Sequence, residues 1–515
     1  MGANDGMLHA FKGGTFFEDD NPATVGIEEH CWYSADEIPA TPEAMGAERW
    51  AFIPYNLLPH LKWLTDPDYT HVYYVDLKPK VTDVRIFNDD AYHRNGWGTI
   101  LIGGMRLGGG AYTFAEDFDN NPGTPDETRT FRSAYFVLDI TVPNSPVFLG
   151  EFTDPHMGFT TSYPAIVRTE ETDGFQNPED DKWFCLVGSG SSDCDGSVTQ
   201  NGHVFVADLA NRQVVQTFQT AEANAFMATP VTVDMNLNYN VETVYIGETY
   251  RDAGNVLGKM YRVSTRNNAD PDIWAYQTDP LNWTMTTLFS SATPITSSPT
   301  ASMDEDENVW IYFGTGKYLS NDDKTDVTTQ YFYGIKETCN YGGCAPADEV
   351  LQANLYNSTN VMILTNKEVI NATATTWDPF VDEVQANDGW YINLSEPGER
   401  VLNRPSVLGG VILFTAFKPE SDLCGYGGTG SLYGLYYETG TAYYEPILGT
   451  ETYGDEDLSV EKVDLDKGVT SEIGLHVGQK ATSTGFIQQS TGAVMQVDID
   501  PALNIKSGII GWQQY

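Results

Sequence analysis

Four apolar runs that each stop at glycine recur along the chain: TILIGG (99–104), WFCLVGSG (183–190), TVYIGE (243–248) and WIYFGTG (310–316). Runs of this length, rich in β-branched and aromatic residues and halted by glycine, read as buried strands meeting turns. Most follow a strand start that contains proline, as in SYPAIV (162–167), ATPVTV (228–233) and SSPTAS (297–302). Most precede an aromatic strand: GAYTF (110–114), HVFVADL (203–209), KMYRVST (259–265) and YFYGIKE (331–337). A unit of this kind, repeated at intervals of roughly 60 to 100 residues, is the mark of propeller blades that carry insertions. RPSVLGGVILFTAF (404–417) with GSLYGLYYETG (430–440) gives a further copy. GANDGMLHAFKGG (2–14) has only the outer part of a blade, and TGAVMQVDID (491–500) is expected to complete it, closing a ring without exposed edges.

The fold class is therefore all-β, a β-propeller with long loop insertions. At 515 residues the chain exceeds what one hydrophobic core supports, which a radially repeated fold accommodates. Its 29 Tyr, 24 Phe and 11 Trp, with 48 Gly and 26 Pro, favour short strands and tight turns over helices. Insertions concentrate at 115–130, 169–182, 338–400 and 450–475, all polar or glycine-rich, and read as surface loops. One stretch differs: Leu57, Leu58, Leu61 and Leu64 recur at helical spacing.

Charge narrows the partners. Lys and Arg number 28 against 72 Asp and Glu, a formal net charge of −44, which repels phosphate backbones and excludes nucleic-acid binding. No run of about 18 apolar residues is present, so no membrane span is expected. The start at Met1-Gly-Ala-Asn-Asp-Gly leads directly into a strand and turn, and the chain reads as a fragment whose leader and upstream region lie elsewhere. Cys185 with Cys194, and Cys339 with Cys344, bracket short loops and are expected to be disulfides in an oxidising compartment. None of the six cysteines has the spacing of a haem or structural zinc site. Nothing names a catalytic set: GGTGS (427–431) lacks the GxSxG arrangement, and the eight histidines include no HExxH pair. The chain is accordingly read as no enzyme.

Six segments, in order, resemble the C-terminal domain of the PilY/PilC family of type IV pilus biogenesis factors and tip adhesins. They are GANDGMLHAF (2–11), ERWAFIPYNLLPHL (48–61) with HVYYVD (71–76), TDPHMGFTTSYPAI (153–166), ATPVTVDMN (228–236), YFGTGKYLSNDDKTD (312–326) and AFKPESDLCGYGGTGSLYGL (416–435). The resemblance implies a modified seven-bladed propeller, exported to the cell surface, that acts with minor pilins at the pilus tip in assembly, retraction control and adhesion. Two other readings are a quinoprotein-type propeller oxidoreductase and a calcium-independent surface propeller that binds glycan or protein.

The segment Asp234-Met-Asn236-Leu-Asn238-Tyr-Asn240-Val-Glu242 places an oxygen-bearing side chain at every second position. Calcium takes six to eight oxygens, and a tight loop with alternating ligands turns them inward. By resemblance to the family loop, Asn240 supplies a backbone carbonyl, and Asp234, Asn236, Asn238 and Glu242 supply side chains. That loop usually carries Asp where this chain has Asn238 and Glu242. With two formal charges left, calcium binding is expected in the range of about 10⁻⁴ to 10⁻³ M. The alternative is an Asx-rich turn whose side chains bond their own backbone. Asp117, Asp119 and Asn121, and Asp304, Asp306 and Asn308, are two further candidate metal loops; the second precedes WIYFG as the Asp234 loop precedes TVYIG.

Overall fold

The apolar runs form strands, each lying second in an antiparallel sheet of at least four strands. The computed structural model describes residues 1–13, 15–18, 30–33, 46–116, 127–170, 181–235, 237–266, 277–339, 348–420, 427–477 and 483–503. The chain divides into two compact units, residues 1–163 with 207–214 and residues 164–206 with 215–515.

The first unit contains sheet A, in which Lys80–Arg85, Trp97–Gly104, Tyr135–Asp139 and Val147–Phe152 lie in chain order. The partner of the TILIGG strand is thus YFVLD, and not the expected GAYTF. All five residues of YFVLD are buried. Tyr112–Glu116 instead pairs with Glu127–Phe131 in a separate hairpin. Leu8–Phe11 and Glu48–Phe52 form a two-stranded sheet. The predicted helical stretch is a 3₁₀ helix, Tyr55–Thr65, whose Leu57 is buried while Leu58 and Leu64 are exposed. Leu8, Leu57, Tyr74, Val75, Leu101 and Phe136 share one core.

Sheet B follows in the chain, with strands Ala165–Thr169, Lys182–Gly188, His203–Asp208 and Gln213–Gln219. In the second unit, sheet C has Thr243–Asp252, Asn255–Ser264 and Thr284–Ser291 in sequence, with Ala225–Met227 and Val231–Val233 both paired to the first of these. Sheet D joins Thr300–Met303, Val309–Gly314, Tyr331–Lys336 and Gly389–Asn393, and adds Tyr356–Asn357 in parallel. Sheet E joins Val411–Pro419, Gly428–Tyr436 and Lys462–Lys467, with Arg400–Val401 and Ser406–Leu408 on its first edge.

The glycines that end the apolar runs have a packing reason. A Cβ on Gly188 would lie 2.3 Å from the Met227 Cβ, and one on Gly314 the same distance from the Val401 Cβ. Each bare Cα thus admits a side chain from a short edge strand of the next sheet, where overpacking would cost about 1–3 kcal/mol.

Two expectations are corrected. Residues 338–400 are only in part a surface loop. Gly389–Asn393 returns as the fourth strand of sheet D, and the helix Trp377–Gln385 buries Trp377, Phe380 and Val384 in the same core as Trp390 and Phe414. Their signal is diluted by the polar residues between them. The C-terminal Val494–Ile499 pairs with Ser483–Gln488, which pairs with Gly474–Val477, while Leu8–Phe11 pairs with Glu48–Phe52. The described pairings of both segments are therefore local, where a shared blade was expected. The exposed hairpin of Thr450–Tyr453 and Glu456–Ser459 does match the insertion read at 450–475, although Lys462–Lys467 within that range belongs to sheet E.

Candidate functional site

The Asp234–Glu242 loop connects Val231–Val233 to Thr243–Asp252 in sheet C, and the Glu242 N–H donates to the Val233 carbonyl at 3.1 Å to close it. The loop is pinned from outside as well: Val241 N–H donates to the Arg168 carbonyl at 3.0 Å, and Thr265 N–H to the Glu242 carbonyl at 3.0 Å. Arg168 is itself fixed, its buried guanidinium donating to Asp181 and Glu170 at 2.6–3.0 Å.

Inside the loop the carboxylates organise the backbone. Asp234 Oδ1 accepts from Asn238 N–H at 3.1 Å and Oδ2 from Tyr239 N–H at 2.7 Å. Asn238 Oδ1 accepts from Asn240 N–H at 2.9 Å. Glu242 is fully buried, and its Oε2 accepts from Met235 N–H at 2.6 Å. Leu237 and Tyr239 adopt left-handed backbone, φ 59° and 68°, and their side chains point to solvent. Two such residues in one short loop carry strain that the surrounding structure must hold. Asn240 is 2% exposed, and its Oδ1 is buried without a hydrogen-bond partner.

That orphaned oxygen bears on a bound cation. A buried amide oxygen without a donor costs about 1–3 kcal/mol. It sits in a loop with two carboxylates, those of Asp234 and Glu242. The donor set is thus hard oxygen throughout, which suits calcium. The sequence reading assigns Asn240 a carbonyl role, but its side-chain oxygen is the one left unsatisfied. Asn236 lies outside the described residues. Among the described residues no three His, Cys, Asp or Glu side chains gather as a metal site.

The Asp304 loop occupies the matching place between the first two strands of sheet D, but its carboxylate is fully engaged. Oδ1 accepts from the N–H groups of Asp306 and Asn308 at 3.0 and 2.8 Å, and Oδ2 from Asn308 Nδ2 and Trp310 Nε1 at 2.9 and 2.8 Å. Asp306 is exposed and Asn308 half-buried. This is an Asx turn tied to a buried tryptophan. Asp117, Asp119 and Asn121 lie outside the described residues, as does Cys344, on which the expected pairing with Cys339 depends. The other expected disulfide is not formed: Cys185 is buried in sheet B opposite Ile166, whereas Cys194 is an exposed thiol in a loop nine positions later.

Sequence reasoning missed several buried polar groups. Lys317 Nζ donates to Asp323, and the Arg400 guanidinium donates to the carbonyls of Lys317, Asp323, Asp326 and Gly398 at 2.8–2.9 Å. These hold the GTGKYLSNDDKTD segment in place. Arg262, Glu337 and Tyr245 form a second buried cluster. No local signal links residues this far apart in sequence.

A family model described as the PilY1 beta-propeller domain matches residues 1–373. A type IV pilus biogenesis factor PilY1 homolog of Xylella fastidiosa (strain Temecula1) is 26% identical over 517 residues, covering 97% of this chain and 33% of that protein. Type IV pilus biogenesis factor PilY1 of Pseudomonas aeruginosa (strain UCBPP-PA14) is 25% identical over 490 residues, covering 85% of this chain and 35% of that protein. The chain thus spans about a third of the length of these relatives. The crystal structure of the Pseudomonas aeruginosa PilY1 C-terminal domain superposes with a TM-score of 0.62 at 18% identity, over 98% of this chain and 92% of that one, and shares its fold. Among the described residues no helix is long and apolar enough to cross a membrane. With the match over residues 1–373 and the shared propeller fold, the chain belongs to the PilY1 β-propeller domain family.

Proposed function

We propose that this propeller is a non-enzymatic, calcium-binding part of a type IV pilus tip protein, exported to the cell surface, which works with minor pilins in pilus assembly, retraction control and adhesion. The relatives named as pilus biogenesis factors support the setting. The observation that carries the calcium reading is the buried, unpartnered Asn240 Oδ1 in a loop with the Asp234 and Glu242 carboxylates.

Asp234, Asn238, Asn240 and Glu242, with Asn236 from the sequence, are the residues that would hold the ion. Calcium would supply positive charge to the loop and satisfy the Asn240 oxygen. Its occupancy stabilises the folded state by RT ln(1 + [Ca]/Kd), about 1.4 kcal/mol at tenfold excess over Kd. Control of assembly or retraction follows only where a partner binds the filled and empty loops with different affinity.

Calorimetric titration of calcium into the chain is expected to give a Kd of about 10⁻⁴ to 10⁻³ M. Asp234→Asn, which keeps one carbonyl acceptor for the loop backbone, is expected to weaken it at least tenfold, and Asp234→Ala with Glu242→Ala to abolish it. Equal binding by all three proteins would remove the loop as the site. Minor pilins are tested by co-purification with and without a chelator.

A further inference from the structure

The N-terminal sheet repeats the register of the complete sheets with one strand cut short. In sheet A, Gly104 stands opposite Tyr135, and Tyr135 opposite Phe152. Sheet C has the same row in Gly247, Met260 and Phe289, and sheet D in Gly314, Phe332 and Ile392. At the N-terminus the row is Gly2, Leu8 and Phe52. The central member is always buried: Tyr135, Met260 and Phe332 are 0% exposed and Leu8 is 1% exposed.

The glycines also share a neighbour. A Cβ on Gly247 would meet Ile295, five residues ahead of Thr300, where sheet D begins. One on Gly314 would meet Val401, five residues ahead of Ser406 in sheet E. One on Gly2 would lie 2.2 Å from the carbonyl oxygen of Val75, five residues ahead of Lys80 in sheet A. By pairing and by packing, Gly2 holds the place of the glycine that ends a second strand, Leu8–Phe11 is a third strand and Glu48–Phe52 a fourth.

Pairing in that second-strand place has already begun. The His9 N–H donates to the Met1 carbonyl at 2.8 Å, and the Met1 amino group donates to the His9 carbonyl at 2.7 Å, the two bonds of an antiparallel residue pair. Beyond Met1 lies a cavity of about 650 Å³ whose lining includes Leu8, Ala10, Phe11, Leu101 and Ile140. In sheets A and D the same place holds the buried residues Ile100, Leu101 and Ile102, and Trp310, Ile311 and Tyr312.

We infer that the Leu8–Phe11 edge and this cavity accept an extended, apolar β-strand that runs antiparallel to Leu8–Phe11 and continues directly into Gly2. Its occupant is the polypeptide joined to the amino side of this chain in the longer protein. Its composition is that of the other second strands, aliphatic and aromatic residues whose alternate side chains fill the cavity. The relatives, more than twice the length of this chain, leave ample polypeptide to supply it.

Hydrogen exchange at the amides of His9 and Phe11, which face the second-strand place, tests this in the full-length protein and in the 515-residue chain. Exchange is expected to be at least tenfold slower in the full-length protein. A synthetic TVYIGE peptide, copied from residues 243–248, is expected to slow exchange in the shorter chain and to have no effect on the longer one. In the full-length protein Gly2→Leu, whose side chain collides with Val75, is expected to raise exchange at these amides tenfold and leave the sheet C amides unchanged. Equal exchange in the two proteins overturns the inference. So does protection in the 515-residue chain that rises with protein concentration, which would make a second copy the occupant. Protection there that is lost on deleting residues 504–515 would assign the place to the C-terminal tail and overturn it too.

Discussion

Glu248 is fully buried, with its carboxylate held between the Thr220 hydroxyl at 2.5 Å and the Tyr261 hydroxyl at 2.9 Å. Burial pushes its pKa up to about 7 from 4.5, against the hydrogen bonds that lower it. Between these values the folded protein keeps a proton that the unfolded chain releases. The contribution of this group to stability is therefore greatest below pH 4.5, falls as pH rises to 7, and levels off above it at roughly 3 kcal/mol less. Glu248→Gln is expected to reduce the fall in stability between pH 5 and pH 8, read from urea midpoints, and to leave the share of Glu461, whose pKa burial also raises to about 7. Asp304→Ala strips the buried Trp310 indole N–H of its acceptor and is expected to cost about 1–3 kcal/mol in the same assay. At this scale the sequence was legible where partners are local. The segment from Asp234 to Glu242 was readable as a loop, because closely spaced Asp and Asn side chains bond nearby backbone and favour a turn between two strands. Glu248 gives no such sign, since its partners Thr220 and Tyr261 reach it only through the sheet. Asn240 lies between these cases: its place in the loop was readable, but not which of its oxygens is stranded.

Arg400 joins two stretches of chain by donating to four backbone carbonyls from a 1% exposed position. Arg400→Lys offers one compact ammonium in place of a planar fork and is expected to cost about 3 kcal/mol, read from denaturant unfolding. Gly314→Ala sets a methyl against Val401 and is expected to destabilise by about 1–3 kcal/mol, while Gly13→Ala, with nothing within 4 Å, is near neutral. Strands of this kind were readable because a continuous apolar run that ends in glycine has few alternatives. Pairing was less so. YFVLD took the place assigned to GAYTF because complete burial favours an unbroken apolar strand, and nothing near GAYTF reveals its polar hairpin partner Glu127–Phe131. The helix Trp377–Gln385 was hidden among Asp378, Asp382 and Glu383, which its exposed face requires.

The net charge of −44 acts on the molecule as a whole. Carboxylates that repel one another oppose compaction, and the Debye length shrinks to about 10 Å at 0.1 M salt. The melting temperature is therefore expected to rise by several degrees between low and moderate NaCl, a shift that scanning calorimetry would register and that a mixed-charge surface would not show. Calcium raises it beyond the effect of its own screening only if it occupies the Asp234 loop, so Asp234→Asn separates binding from screening. The return of Gly389–Asn393 to sheet D after the insertion has a consequence in time rather than in equilibrium. Closing a loop of about fifty residues costs about 1.4 kcal/mol more than closing one of about ten, roughly a tenfold slower search. Until that strand docks, Tyr331–Lys336 is the naked border of a three-stranded sheet, open to proteases and to stray strands from other nascent chains. Pulsed hydrogen exchange during refolding should find its amides among the last in the second unit to gain protection.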